Sequence, residues 1–216
     1  MIQVHHLEHS RSIRVLWLLE ELGVDYEVVH YRRDPKTKEA PESLKKVHPL
    51  GKSPIITDGE LTIAESGAII EYLIDTYGQG RMRPQTGEAL LEYRYWLHFA
   101  EGSLMPLLVM KMVLGMVEKA PMPFFIRPIA RKIVAGIDQR FTLPRLKPQL
   151  ALIEAHLQDR GWFAGHDLSG ADIQMALSLQ FCLSSLPDMS DYPQIRSYVE
   201  RVERLPAYQR AGKKSE

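Results

Sequence analysis

Ser10, Arg11, Ser12 and Arg14 stand together in "HHLEHSRSIRVLWLLEELG", residues 5–23, where a strand pattern gives way to a helical one. One hydroxyl is enough to cap a helix start. Two hydroxyls and two guanidinium groups at the same point could do more. A hydroxyl there can donate to an anion, and the helix dipole and a nearby arginine act in the same direction. The competing reading is that both serines only cap.

A second group is Glu65 and Ser66 in "AESG", at a helix start directly after a strand. Free N–H groups and the positive dipole end suit a carboxylate. The Ser66 hydroxyl adds a donor, and Glu65 offers a negative charge to an ammonium group. Simple capping would use the same residues. A third group is "GKSPI", residues 51–55. Pro54 cannot donate a ladder hydrogen bond and belongs at a strand start or edge. Lys52 could meet a carboxylate or stand in solvent. His5, His6 and His9 suggest no metal, because successive strand residues face opposite ways and no cysteine or carboxylate set completes a site.

The elements that carry these groups follow from periodicity. "IQVHHL" and "YEVVHY" read as strands around a helix in which Val15, Leu18, Leu19 and Leu22 recur and Gly23 is the stop. "PESLKKVH" is a short helix or turn. "SPIITDGELTI" is a hairpin turning at Asp58-Gly59, followed by the helix "ESGAIIEYLIDTYG". The order is β-α-β-α-β-β-α, with a parallel, right-handed first unit and an antiparallel hairpin in the same sheet. "GQGRMRPQTG" reads as connecting sequence. Beyond it strand signals nearly vanish, and a long helix bent near Pro106 leads an all-α half. Pro144 and Pro148 should disturb the next helical run. "LSGADI" carries a capping box, Ser169 with Asp172, and a staple of Leu168 and Ile173.

Composition narrows the function. The 216 residues hold 27 Lys plus Arg against 27 Asp plus Glu, no excess for nucleic acid. Cys182, the only cysteine, lies in an apolar run and reads as a buried small hydrophobe, so CxxC chemistry is excluded. No apolar stretch precedes the first charges, and "LMPLLVMKMVLGMV" is short of a membrane span. A soluble cytoplasmic protein with no membrane partner is expected. Tyr95, Trp96, Phe99, Met105, Met110 and Met112 make the long helix aromatic and sulfur-rich; such stripes are mostly core, though a soft wall would suit varied apolar ligands.

Over its whole length the chain resembles the cytosolic glutathione S-transferases, closest to the serine-type theta-like and fungal-type branches. "HPLGKSPIITDGELTIAESGAIIEYL", "LSGADIQMAL" and "HLEHSRSIRVLWLLEEL" carry the resemblance in that order. It implies a thioredoxin-like glutathione-binding domain at 1–80, a linker at 81–87 and an all-helical domain at 88–216 that forms the electrophile pocket. It implies glutathione as co-substrate, no metal, a small hydrophobic electrophile and a homodimer.

The resemblance assigns Ser10 as the catalytic hydroxyl, with Arg14 aligned to the arginine that follows it. Ser12 becomes the N-cap or second-choice donor. Arg11 adds positive potential or faces solvent, and Arg14 is a structural helix residue. A free thiol with pKa about 8.5 is only about 3% thiolate at pH 7; a hydrogen bond to the anion can shift it by roughly two units. The implied ligand contacts are Glu65 and Ser66 at the γ-glutamyl end, the Ile55 backbone beside a cis Pro54, Ser53, and Lys52 and His48 near the glycyl carboxylate. Glu101 could enter a polar network between domains or subunits. Conjugation to electrophiles is the expected reaction, with hydroperoxide reduction as a second activity. A ligand carrier without turnover is the alternative.

Overall fold

The computed structural model describes residues 1–186 and 188–216. The strands are β1 (Ile2–Leu7), β2 (Tyr26–Tyr31), β3 (Ile55–Asp58) and β4 (Leu61–Ala64), in sheet order β2-β1-β3-β4. β1 and β2 run parallel, and β3 is antiparallel to both β1 and β4. The hairpin turns at Gly59 and Glu60, one residue later than Asp58-Gly59. Gly59 takes the positive φ of 59°, and Asp58 stays in β3, where its carboxylate accepts from Tyr72 and Tyr77.

Helix α1 (Ile13–Leu22) crosses between β1 and β2, and Gly23, with φ 69°, closes it. Its Val15, Leu16, Leu18 and Leu19 are wholly buried. Helices α2 (Glu42–Val47) and α3 (Ser66–Tyr77) complete the first half. Helix α4 (Gly87–Phe99) passes into α5 (Met105–Lys119) through a π-helical segment, Ala100–Leu104. Helix α6 (Arg127–Ile137) passes into α7 (Leu143–Arg160) through a second, Asp138–Thr142. Each π segment ends two residues before a proline, Pro106 or Pro144. A proline supplies no N–H to the ladder, and a local change of helical pitch absorbs the missing bond.

The helical stretch Gly87–Lys119 extends well beyond the apolar run. By length and composition it could cross a membrane, with a mean hydropathy of 1.5 in its most apolar window. Tyr93, Trp96, Leu97, Leu104 and Leu108 nevertheless enter the protein core. Of the aromatic and sulfur stripe, Trp96, Phe99 and Met105 are buried, whereas Tyr95, Met110 and Met112 are exposed.

Helix α8 (Gly170–Ser185) runs through the centre of the second half, and Cys182 is buried in it, its thiol pushed up to about 12 by burial. The start of α8 is the capping box. Asp172 Oδ2 accepts from the Ser169 N–H and hydroxyl, each at 2.9 Å. Its other oxygen accepts from the Phe163 N–H and the Tyr198 hydroxyl. Gly170 has no room for a side chain: a Cβ there would lie 2.7 Å from Ile74 and 2.9 Å from the Tyr93 oxygen. The box therefore fixes where α8 meets α3 and α4.

Helices α9 (Pro193–Glu203) and α10 (Pro206–Lys214) end the chain. The sequence reading has no counterpart to α10, because "PAYQRAGKK" offers only small buried residues, Ala207 and Ala211. It docks on α1 by Tyr208 edge-on to Trp17 and by Arg210 and Lys214 paired with Glu20.

Candidate functional site

Two adjoining cavities lie where β1, α1, the α2–β3 loop and α3 meet the helical half. The polar one, about 250 Å³, is lined by Arg11, His48, Lys52, Ser53, Glu65 and Glu101, among others. The larger, about 620 Å³, is lined by Ser10 and by Met105, Val109, Met112, Leu177 and Phe181. Arg11, Lys52 and Ser53 border both.

Ser10 sits in the turn after β1, before α1 begins. Its oxygen is 2.7 Å from Ser12 Oγ and accepts from the Ser12 N–H at 3.3 Å. It donates to Ser53 Oγ at 3.1 Å, and Ser53 in turn donates to the His5 carbonyl. Ser12 occupies the N-cap position of α1 but makes no side-chain cap bond. It is fully buried, and its hydroxyl meets Ser10 and, at 2.8 Å, His6 Nδ1. The two serines thus bond to each other instead of both capping the helix. His5 points the other way, to Tyr31 and Thr57.

Glu65 and Ser66 begin α3. Glu65 has φ 75°, an uncommon conformation for a residue with a side chain, and its carboxylate makes no cap hydrogen bond. Ser66 is buried; its oxygen accepts from Gln174 Nε2 at 3.0 Å and from Arg14 Nη1 at 3.4 Å. Neither partner group can accept, so the Ser66 hydrogen is left to point elsewhere. His48 reaches the polar cavity with Nδ1 buried and unpaired.

The Ser53–Pro54 bond is cis. Ile55 differs from expectation. It is wholly buried, pairs with His5 on one side and Ala64 on the other, and borders neither cavity. A residue with strands on both flanks presents no open edge to an added strand. Of this stretch, Lys52, Ser53 and Pro54 line the polar cavity.

Arg14 is more than a helix residue. It is 1% exposed, and its guanidinium donates to Glu101 Oε1 at 2.6 Å and to Ser178 at 3.2 Å. Burial pulls its pKa down and Glu101 pulls it back up. Arg11 donates to the same Glu101 oxygen at 3.1 Å while its side chain stays 39% exposed. Ser178 and Gln174 were absent from the sequence reading. Their one signal was polar character within an apolar helix, on α8 faces that turn out to be buried.

The first 75 residues match the family model "Glutathione S-transferase, N-terminal domain", and residues 118–206 match its C-terminal counterpart. Glutathione S-transferase 1 of Saccharomyces cerevisiae is 34% identical over all of this chain and 95% of its own length. Glutathione S-transferase 3 of Schizosaccharomyces pombe is 37% identical over all of this chain and 88% of its own length.

The chain belongs to the glutathione S-transferase family.

A glutathione S-transferase crystal structure from Actinobacillus pleuropneumoniae shares the fold with a TM-score of 0.78, at 33% identity, covering 100% of this chain and 93% of that one. No group of His, Cys, Asp and Glu that could hold a metal occurs among the described residues of this family member.

Proposed function

We propose that this glutathione S-transferase conjugates glutathione to small apolar electrophiles, with Ser10 donating a hydrogen bond to the thiolate. The observation that carries the reading is the junction of the two cavities. A polar pocket opens into an apolar one, with the Ser53–Ser10 pair at the boundary.

Residues 1–80 serve as the glutathione-binding half, 81–87 as the linker and 88–216 as the electrophile-binding half. Glu65 takes the γ-glutamyl ammonium group. Ser66 and the start of α3 take its carboxylate, using the hydroxyl hydrogen that Arg14 and Gln174 leave free. Ser53 and Pro54 line the cysteinyl backbone. Lys52 and His48 face the glycyl carboxylate, where the unpaired His48 Nδ1 could receive an N–H or present one.

When sulfur arrives, Ser10 gives up its hydrogen bond to Ser53 and donates to the anion instead. A hydrogen bond to a charged acceptor is worth about 1.5–3 kcal/mol, about one to two pKa units of the thiol. Arg11 and the start of α1 add positive potential. The electrophile sits against Met105, Val109, Met112, Leu177 and Phe181, and holding it beside the thiolate supplies the rest of the acceleration. The same thiolate could attack a hydroperoxide oxygen, a second activity that we also propose. The working form is a cytoplasmic homodimer, as the resemblance implies; sedimentation tests the assembly.

Turnover of an aryl halide and of cumene hydroperoxide by wild type and Ser10→Ala tests the assignment. A loss of about ten- to a hundredfold in kcat/KM with the fold intact is expected. Equal rates would remove Ser10 from the mechanism. Glutathione binding without turnover on a broad panel would favour a carrier.

A further inference from the structure

The thiol proton must go somewhere when sulfur ionises, and Ser10 cannot keep it. The hydroxyl chain behind Ser10 leads inward, away from the cavity. Ser10 Oγ lies 2.7 Å from Ser12 Oγ, which lies 2.8 Å from His6 Nδ1. Ser12 is fully buried and His6 is 4% exposed. A lone structural hydroxyl would need no such chain ending on a base.

We propose that His6 takes the thiol proton of bound glutathione through Ser10 and Ser12, so that sulfur ionises without releasing a proton to water. This rests on the Ser10 reading given above.

The steps balance. On binding, Ser10 gives up its donation to Ser53 and turns its hydrogen to Ser12 Oγ, which frees the Ser12 hydrogen for His6 Nδ1. The S–H hydrogen then passes to Ser10 Oγ, the Ser10 hydrogen to Ser12 Oγ, and the Ser12 hydrogen to His6 Nδ1. A neutral thiol and a neutral imidazole become a thiolate and an imidazolium, with no change in net charge. Afterwards every link points outward: His6 donates to Ser12, Ser12 to Ser10, and Ser10 to sulfur. The anion thus receives a hydrogen bond backed by a chain that ends on a positive charge. Once sulfur has formed its new bond, the proton returns along the same path to the leaving group or to water.

The surroundings keep His6 neutral at rest and therefore able to accept. Burial lowers its pKa first of all; His30, packed edge-on from β2, and His9, in the turn before α1, lower it further. The Ser215 backbone after α10 acts oppositely, favouring the protonated ring. The relay uses the tautomer with the proton on Nε2, which leaves Nδ1 to accept from Ser12.

The test counts protons in the wild-type protein. Glutathione and S-methylglutathione are bound separately at neutral pH, in buffers of different ionisation enthalpy, while the ultraviolet thiolate band is recorded. The S-methyl compound has no thiol to ionise, so the difference between the two isolates the thiol proton. The expected result is a thiolate band with no extra proton released for glutathione. Release of a proton for every thiolate formed would overturn the relay while leaving Ser10 in place. No thiolate band at all would overturn the Ser10 reading, and the relay with it.

His6→Gln keeps an acceptor near Ser12 but cannot hold the proton, and Ser12→Ala cuts the chain. In either folded variant the thiolate fraction should fall severalfold near neutrality, and each thiolate that does form should release its proton. Variants that match wild type in both readouts would also refute the proposal.

Discussion

Arg14 in the first helix and Glu101 in the π-helical segment, 87 residues later, are 2.6 Å apart. The arginine is buried and the carboxylate is one-third exposed. The pair joins the sheet half to the helical half directly beneath the polar cavity. Glu101→Gln keeps the shape and removes the charge, leaving Arg14 buried without its counter-ion. Partial exposure of Glu101 tempers the loss, so unfolding free energy should fall by about 1–3 kcal/mol in denaturant titration. Because Arg14 also holds Ser66, the KM for glutathione should rise in the same variant.

Ser66 separates binding from packing. Ser66→Ala removes one charge-assisted donor from the proposed carboxylate site. The KM for glutathione should rise by about tenfold or more, with kcat largely kept. Steady-state kinetics with glutathione varied checks this. An unchanged KM would reduce Ser66 to a packing role between Arg14 and Gln174.

Met112 offers a way to alter the electrophile wall alone. It lines the large cavity yet is 41% exposed, so a polar side chain should be tolerated by the fold. Met112→Gln should weaken apolar electrophiles by about 1 kcal/mol, a severalfold rise in their KM. The KM for glutathione should not move. Competition between an aryl halide and a more polar acceptor would report the shift.

Asp172 should matter for stability and not for chemistry. Asp172→Ala strands the buried Ser169 and Phe163 N–H groups and leaves the Tyr198 hydroxyl only the carbonyl of residue 172, at a cost of about 3–5 kcal/mol. Burial, opposed by these donors, raises the carboxyl from 3.8 to about 6. Between those values the folded state holds the proton more often than the unfolded state. The contribution of this group to stability therefore falls as pH rises from 3.8 to about 6. Asp172→Asn should flatten that part of the stability–pH curve, measured by thermal melts across the range.

Glu20 carries the opposite sign. Burial alone would raise its pKa, but Lys214, Arg210 and Tyr26 together bring it down from 4.5 to about 2. The stability it contributes is present above 4.5 and is lost as pH falls towards 2. The helix it holds, α10, should be the first to detach in acid. Fluorescence of Trp17, which packs against Tyr208, reports that step. Glu20→Gln should show the detached signal already near neutral pH.

Much of this protein is written locally. Val15, Leu18, Leu19 and Leu22 repeat at helical spacing, Gly23 supplies the left-handed stop, and the strand patterns on either side make the first β-α-β unit legible. The Ser169–Asp172 box is legible for the same reason, since its partners are three residues apart. Ser10, His48, Lys52, Ser53, Glu65 and Ser66 could be named from the sequence, because each stands in a loop or at a helix start. The structure brings Ser10 to the large cavity, Lys52 and Ser53 to both, and the others to the polar one.

Tertiary structure decided which polar groups meet. Ile55 reads as a free strand start, but β1 and β4 take both of its flanks and leave the cavity to Ser53. Arg14 reads as a structural helix residue, and only the fold shows that its partners are Glu101 and Ser178. His6 reads as one of three scattered histidines until the turn after β1 folds Ser12 onto its ring. The sequence determined the elements and their order, because periodicity and capping act within a few residues. It could not determine the long-range polar pairs, because a hydrogen bond between distant residues leaves no periodic trace in the chain that makes it.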